Sequence, residues 1–451
     1  MNRRAVLSLS GALAAAALAG CVSSEGTPDG TETPTPTGTP TETPTGDEPS
    51  NPSGEPNVDD ERLAALSAGN AAFALDLHEH LAEDQGGNIF ISPYSISVAL
   101  AMTYAGAQGT TREQMAETLR YTLGEEVHPA FEDLQAELDT RETTVDPMAD
   151  DEEDEEVDAF ELNVANALWG DEEYPFDEDY LALVEDHYGG GLKDADFAGD
   201  PRGGRERIND WVADQTEDRI DDLLPDGSIT HQTVLVLTNA IYFMASWHHE
   251  FDPENTEDGT FTALDGSEST VPMMHQNVRT NYADVGGVEA VELPYVGEAV
   301  SMVLILPEAG TFEEFERDLD AETLFGIFEE LGDAQGDLAM PKFEFETEVQ
   351  LSDALSELGM SAAFGPGADF GGMVEGDGGP GIDEVYHDAF ISVDEEGTEA
   401  AAATAVVMLA SAPPNWGEVR FDRPFLFCIR DRPTDAVLFL GRVVDAGEAQ
   451  G

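Results

Sequence analysis

Apolar positions follow three rhythms along this chain. An apolar run from Ala5 to Ala19 follows Arg3 and Arg4, and residues 22–57 contain little that could enter a core. From about Arg62 to Asp445 apolar residues recur at helical and strand spacing. Early in that body the pattern is helical. In SPYSISVALAMTYAGA (92–107) Pro93 stands at a helix start, where its missing N–H costs nothing; Ser92 can cap the helix and Gly106 helps to end it. T-R-E-Q at 111–114 has the form of a capping box opening a second helix, M-A-E-T-L. In RERINDWVADQTEDRIDDLL (205–224), Ile208, Trp211, Val212 and Ile220 share roughly one helical face. Later runs are bounded by turn residues and predict buried strands: TVLVLTNAIYF (233–243), AVSMVLILP (299–307), and FLFCIR with AVLFLGRVV within 425–444. One short helix, LSDALSELG (351–359), lies between them. Helices first and strands later predict an α+β fold with large, mixed, mainly antiparallel sheets. No internal repeat or second linker divides the body. The acidic interruption DPMADDEEDEEVD at about 146–158 reads as a surface insertion.

Charge sets the environment. Lys and Arg number 19 against 95 Asp and Glu, a net charge of −76 over 451 residues. Such a chain repels itself at ordinary salt, whereas at molar salt the screening length falls to about 3 Å. The balance predicts a body adapted to near-saturated brine, as in extreme halophiles. It excludes a nucleic-acid partner, because nothing here could neutralise phosphates. Residues 1–21, MNRRAVLSLSGALAAAALAGC, predict an export signal with a twin arginine and an apolar run too short to span a bilayer comfortably. Its L-A-G-C ending resembles a lipobox with Cys21 as the lipidated residue; the alternative is a plain signal peptide with a chance cysteine. The Thr/Pro repeat of residues 22–57 predicts an extended, disordered stalk. The body is therefore expected outside the cell, secreted and held at the surface only by a lipid on Cys21. Cys428, the other cysteine, sits in FLFCIR and reads as a packed hydrophobe.

Patterns for catalysis and metal binding are missing. There is no G-x-S-x-G, no H-E-x-x-H and no P-loop. Neither His78 with His80 nor His248 with His249 is spaced to share a helical face, which predicts surface histidines. DADFAGD (194–200) is only an incomplete calcium loop. The reading is of a protein that is not an enzyme, with no cofactor and no metal.

One stretch fits no ordinary category. DEEGTEAAAATAVVMLASAPPNW (394–416) is too small-sided for a core helix and too apolar for a solvated loop. Laid out as a strand, one face carries Thr398, Ala400, Ala402, Thr404, Val406 and Met408. The other carries Gly397, Glu399, Ala401, Ala403, Ala405 and Val407, so the first face is small and uncharged. An alanine-rich helix has comparable local propensity, although Gly397 and the Thr/Val content weaken it.

At these residues the sequence resembles the serpin family. E-E-G-T-E-A-A-A-A-T (395–404) matches the family's hinge, which permits loop insertion. Further matches follow in order: NIFISPYSISVALAMTYAGAQGTT (88–111), TNAIYFMASW (238–247), MPKF (340–343), VYHDAFISVDEEGTEA (385–400), and FDRPFLFCIRD with LFLGRVVD. The resemblance covers about 62–445 and implies a serpin fold with about eight to nine helices and an exposed reactive-centre loop. With the leader, it describes a haloarchaeal-type exported lipoprotein that works as a monomer.

The resemblance also implies roles. Ser92, Ser95, Asn239 and His387 would form a polar gating network under the opening of the central sheet, and Trp247 would sit where the loop first enters. The hinge would run through Glu395, Glu396, Gly397, Thr398, Glu399, Ala400, Ala401, Ala402, Ala403 and Thr404. Its partner would be a serine protease, acylated as it cuts the loop and then stalled as the loop inserts. Family spacing places the reactive bond between Ser411 and Ala412, with Met408, Leu409 and Ala410 within range. No Arg or Lys occurs between Glu395 and Val419, which excludes a trypsin-like target and favours a subtilisin-, elastase- or chymotrypsin-like one. Two other readings stay open: a non-inhibitory carrier or chaperone of the same fold, and a stalked surface protein that binds a solute or another cell.

Overall fold

The computed structural model describes residues 58–450 apart from 142, 146–156, 190–191, 221, 366, 376–378, 380 and 399–412. The signal, Cys21, the stalk, most of the acidic insertion, hinge residues Glu399 to Thr404 and the reactive bond lie outside the described residues. The body begins with α1 (Val58–Gln85), β1 (Ile89–Ile91), α2 (Pro93–Tyr104), α3 (Gly109–Thr118) and α4 (Val127–Asp139). Then come β2 (Thr143–Val145), β3 (Val157–Asp171), α5 (Glu178–Tyr188), β4 (Lys193–Ala195) and α6 (Pro201–Gln215). Strands follow: β5 (Leu235–Ser246), β6 (Glu257–Thr262), β7 (Glu268–Val285), β8 (Val288–Pro294) and β9 (Val300–Leu306). α7 (Phe312–Asp318) and α8 (Ala321–Glu330) precede β10 (Gly332–Pro341), β11 (Phe343–Gln350) and α9 (Ser352–Leu355). The chain closes with β12 (Val385–Val393), β13 (Gly397–Thr398), β14 (Asn415–Arg420), β15 (Phe425–Asp431) and β16 (Ala436–Val443).

Two sheets organise these elements into an α+β fold. The central sheet has the order β11-β12-β13-β5-β3-β2, with β4 beside β3. The second has the order β1-β16-β15-β9-β8-β7-β10-β14, with β6 beside β7. β5 is buried almost throughout, as its apolar run, interrupted only by Thr238 and Asn239 before its last residue Ser246, requires of a strand covered on both faces. On one side lies α2, with eleven of its twelve residues buried. On the other, Phe197, Ile208, Val212, Ile220 and Leu224 form a smaller core with Trp169 and Ala240 under α6. Cys428 is fully buried, and burial pushes its thiol up to about 12.

Several local expectations need correction. β3 runs for 15 residues in the half read as helical. The helix expected over 205–224 is α6, which stops at Gln215: Thr216 Oγ1 donates to the Val212 carbonyl, and Glu217 and Asp218 take left-handed backbone. Ile220 still reaches the same core, but from a loop. T-R-E-Q is no capping box, because α3 already starts at Gly109. The Thr111 hydroxyl instead donates to the Ala362 carbonyl and accepts from the Asp369 N–H. LSDALSELG is α-helical over Ser352–Leu355 and widens into a π-helical turn over Ser356–Met360, where Gly359 breaks the helical backbone at φ 126°. His78 is not a surface histidine: it is 2% exposed and bonded to Glu316, which also takes Arg442. In DADFAGD, Asp196 and Asp200 accept backbone N–H bonds from Gly199 and Gly203, so they close turns.

Candidate functional site

β12 and β5 lie side by side and parallel, Val385–Ala389 against Leu237–Ile241. Above that contact the chain turns back on itself. Asp394 N–H donates to the Gly397 carbonyl and its carboxylate takes the Glu396 N–H, so Gly397 and Thr398 return as β13. This pair enters between the two strands: Thr398 pairs with Val393 of β12, and both residues pair with Ser246 and Ala245 of β5. Gly397 is obligatory there, since a Cβ would lie 2.2 Å from the Ala245 carbonyl oxygen. The first two residues of the strand layout, Gly397 and Thr398, are therefore already inside the sheet.

The segment 394–398 is held by partners distant in sequence, from just beyond strand ends and from loops. Thr398 is 1% exposed, and its hydroxyl lies 3.0 Å from that of Tyr295. Tyr295 stacks on Trp247 at 4.7 Å, and the Trp247 indole N–H donates to the Asp394 carbonyl at 3.0 Å. The backbone N–H groups of Trp247 and Phe251 donate to the Glu396 and Glu395 carbonyls. The Glu395 carboxylate accepts from Lys342 Nζ at 2.6 Å and from the Thr256 hydroxyl at 2.7 Å. Burial alone would raise this carboxyl, but the Lys342 and Thr256 bonds hold it below its ordinary value.

A second polar group lies lower in the sheet, on the face that α2 covers. His387, Asn239 and Asn166 stand in register on β12, β5 and β3. The Ser92 N–H donates to His387 Nε2 at 3.2 Å, which leaves the ring proton on Nδ1, donating to Asn239 Oδ1. Asn239 Nδ2 donates to Ser95 Oγ at 2.7 Å and to Asn166 Oδ1 at 2.6 Å. Asn166 Nδ2 donates to the Ser95 carbonyl. Ser92 caps α2 by accepting from the Ser95 N–H and donates its own proton to the Leu438 carbonyl. Complete burial pushes the His387 imidazole down to about 3, so it is neutral. Such a row ties three strands to one helix end through directional bonds that a sliding strand can exchange.

The structure therefore brings Ser92, Ser95, Asn239 and His387 together and places Trp247 apart from them, with the hinge. Sequence reasoning missed Asn166, Tyr295, Thr256 and Lys342. Lys342 carried one usable signal: it is one of two lysines in the chain, inside M-P-K-F. The other three lie in no motif.

Comparison with known proteins gives a consistent picture. The family model described as Serpin (serine protease inhibitor) matches residues 68–446. An uncharacterized serpin-like protein of Methanosarcina mazei is 37% identical over 395 residues, 86% of this chain and 89% of the relative. Antithrombin-III of Mus musculus is 36% identical over 402 residues, covering 86% of this chain and 83% of that protein. Among solved structures, thyroxine-binding globulin in complex with thyroxine superposes with a TM-score of 0.70 at 29% identity, over 84% of this chain and 99% of that one.

Proposed function

This chain belongs to the serpin family, and from that premise we propose that it inhibits a serine protease as a suicide substrate and is not itself an enzyme. The carrying observation is β13. The hinge has begun to occupy the position between β12 and β5 that a longer inserted strand would fill. Below it those strands meet directly over five residue pairs, so further insertion has to part them. In the proposed sequence a protease attacks the loop between Met408 and Ala412, its serine forms an acyl bond, and the loop amine leaves. Residues from Glu399 onward then follow Thr398 into the sheet and carry the enzyme with them. Its oxyanion site and triad distort, and water no longer completes deacylation.

The same reading assigns the surroundings. The loop has no Arg or Lys, which supports a subtilisin-, elastase- or chymotrypsin-like target. The −76 charge supports a brine environment, and L-A-G-C supports a monomeric body tethered outside the cell through lipid on Cys21. Thyroxine-binding globulin carries its thyroxine on the same fold, so a carrier role is the rival. Mixing the protein with a subtilisin-like protease at molar salt separates them. A detergent-resistant complex about the size of both partners, with a new terminus between residues 408 and 413, is expected. Clean turnover of the loop, with the protease left active, would overturn the inhibitory reading.

A further inference from the structure

The opposite face of the central sheet, on the α6 side, carries an arrangement that inhibition does not use. β11 alternates in strict strand rhythm, with Phe343, Thr347 and Val349 inward and Glu344, Glu346 and Glu348 outward. On β12 beside it, Asp388 is paired in register with Glu348 and lies diagonally across from Glu346. Both glutamates are exposed, but Asp388 is 5% exposed and its Oδ1 has no hydrogen-bond partner. One carboxylate oxygen from each of the three residues falls within 4.8 Å of the other two.

Two physical costs meet at this point. Like charges at such range repel strongly beside a buried wall, and a buried acceptor without a donor loses the water it gave up on folding. A cation among the three oxygens removes both. Ca–O bonds run about 2.3–2.6 Å, so oxygens around one ion lie up to roughly 5 Å apart. The spacing fits. We propose that Glu346, Glu348 and Asp388 form a binding site for a hard divalent cation, Ca2+ in preference to Mg2+. An all-carboxylate donor set without His or Cys selects hard ions. Mg2+ dehydrates reluctantly, whereas the buried Asp388 oxygen has to be met directly by the ion. A cation here would clamp β11 to β12, the strand that borders the opening. The competing relief is one proton shared between the neighbouring carboxylates of Asp388 and Glu346.

The test uses the full chain, stripped by chelator and held in constant molar NaCl. CaCl2 is titrated by calorimetry, and melting is followed with and without it. One saturable Ca2+ per chain with a raised melting temperature is expected, and MgCl2 should bind at least about tenfold more weakly. Glu346→Gln with Glu348→Gln changes only exposed side chains, so the body should fold and lose both effects; Asp388→Asn should lose them too. An equal Ca2+ increment in the double variant would assign the binding to the acidic surface at large and overturn the site. No saturable uptake would favour the shared proton and also overturn it. Mg2+ binding as tight as Ca2+ would overturn the choice of ion.

Discussion

On the proposed mechanism, Thr398 is the residue on which insertion would turn. It is buried against Tyr295 with its neighbour Gly397 tight on the Ala245 carbonyl, so neither position has room for a larger side chain. Thr398→Arg would bury an unpaired charge, which costs several kcal/mol. The hinge should leave the sheet, insertion should slow relative to deacylation, and the variant should be cleaved as a substrate. Counting inhibitor molecules consumed per protease inactivated checks this; a rise of about tenfold or more is expected, since 1.4 kcal/mol already changes a ratio tenfold. Thr398→Val removes only the Tyr295 bond and should cost about 1 kcal/mol of intact stability with inhibition retained. A separate residue sets acid sensitivity. His128, at the start of α4, is buried against Tyr188, and burial followed by His187 and Arg112 pushes it down to about 4. The unfolded chain therefore binds the extra proton first. Stability from this group is full above about pH 6.5, falls as pH drops towards 4, and changes no further below that. The loss amounts to about 3 kcal/mol. Denaturant melts across that window, compared with those of His128→Gln, should show the slope flattening in the variant.

On the same mechanism, the paired strands β12 and β5 would act as one element when closed and as two when parted. Registered partners such as Ala389 and Ile241 are about 4.8 Å apart across a ladder, within disulfide range. Ala389→Cys with Ile241→Cys, oxidised, should lock the sheet: the protease should cut the loop and go free, and reduction should restore trapping. Trapping by the oxidised form, read on a denaturing gel, would mean that the strands need not part. Much of this element was legible beforehand. T-V-L-V-L-T-N-A-I-Y-F is a near-continuous apolar run, the signature of a strand covered on both faces, whereas V-Y-H-D-A-F-I-S-V, broken by His387 and Asp388, was legible only through the family resemblance. β3 was not legible, because Asn163 and Asn166 break its apolar run and an acidic stretch precedes it. The end of α6 was hidden for a different reason: its helical face continues to Ile220, yet positive φ at Glu217 and Asp218 turns the chain first. Lys342, Thr256 and Tyr295 reach the hinge from just beyond the ends of separate strands, and no local pattern records such a meeting. His78 misled in the same way, since its partner Glu316 lies 238 residues away.

At the scale of the whole molecule, salt and stored strain are the two quantities to measure. With 95 acidic and 19 basic residues the body should loosen below roughly molar salt, as screening lengthens past the spacing of surface charges. Circular dichroism and activity that stay constant into dilute buffer would contradict that. Strain is the more central matter. Among the described residues of the ribbon, Gly397 and Thr398 are paired between β12 and β5. Inserting about twelve more residues, at ~0.5–1.5 kcal/mol net per hydrogen bond, would add very roughly 6–18 kcal/mol before entropy costs. Burying Val406 and Met408 would add about 1.5–3 kcal/mol each. Loop insertion that releases stored strain is a switch of a general kind. A nick in an ordinary loop lowers stability or leaves it unchanged. The most direct measurement is therefore the melting temperature of the protein nicked between residues 408 and 413, set against that of the intact protein in the same molar salt. A nicked form that melts far above the intact one is the predicted result; one that melts at or below it would contradict insertion as the source of inhibition.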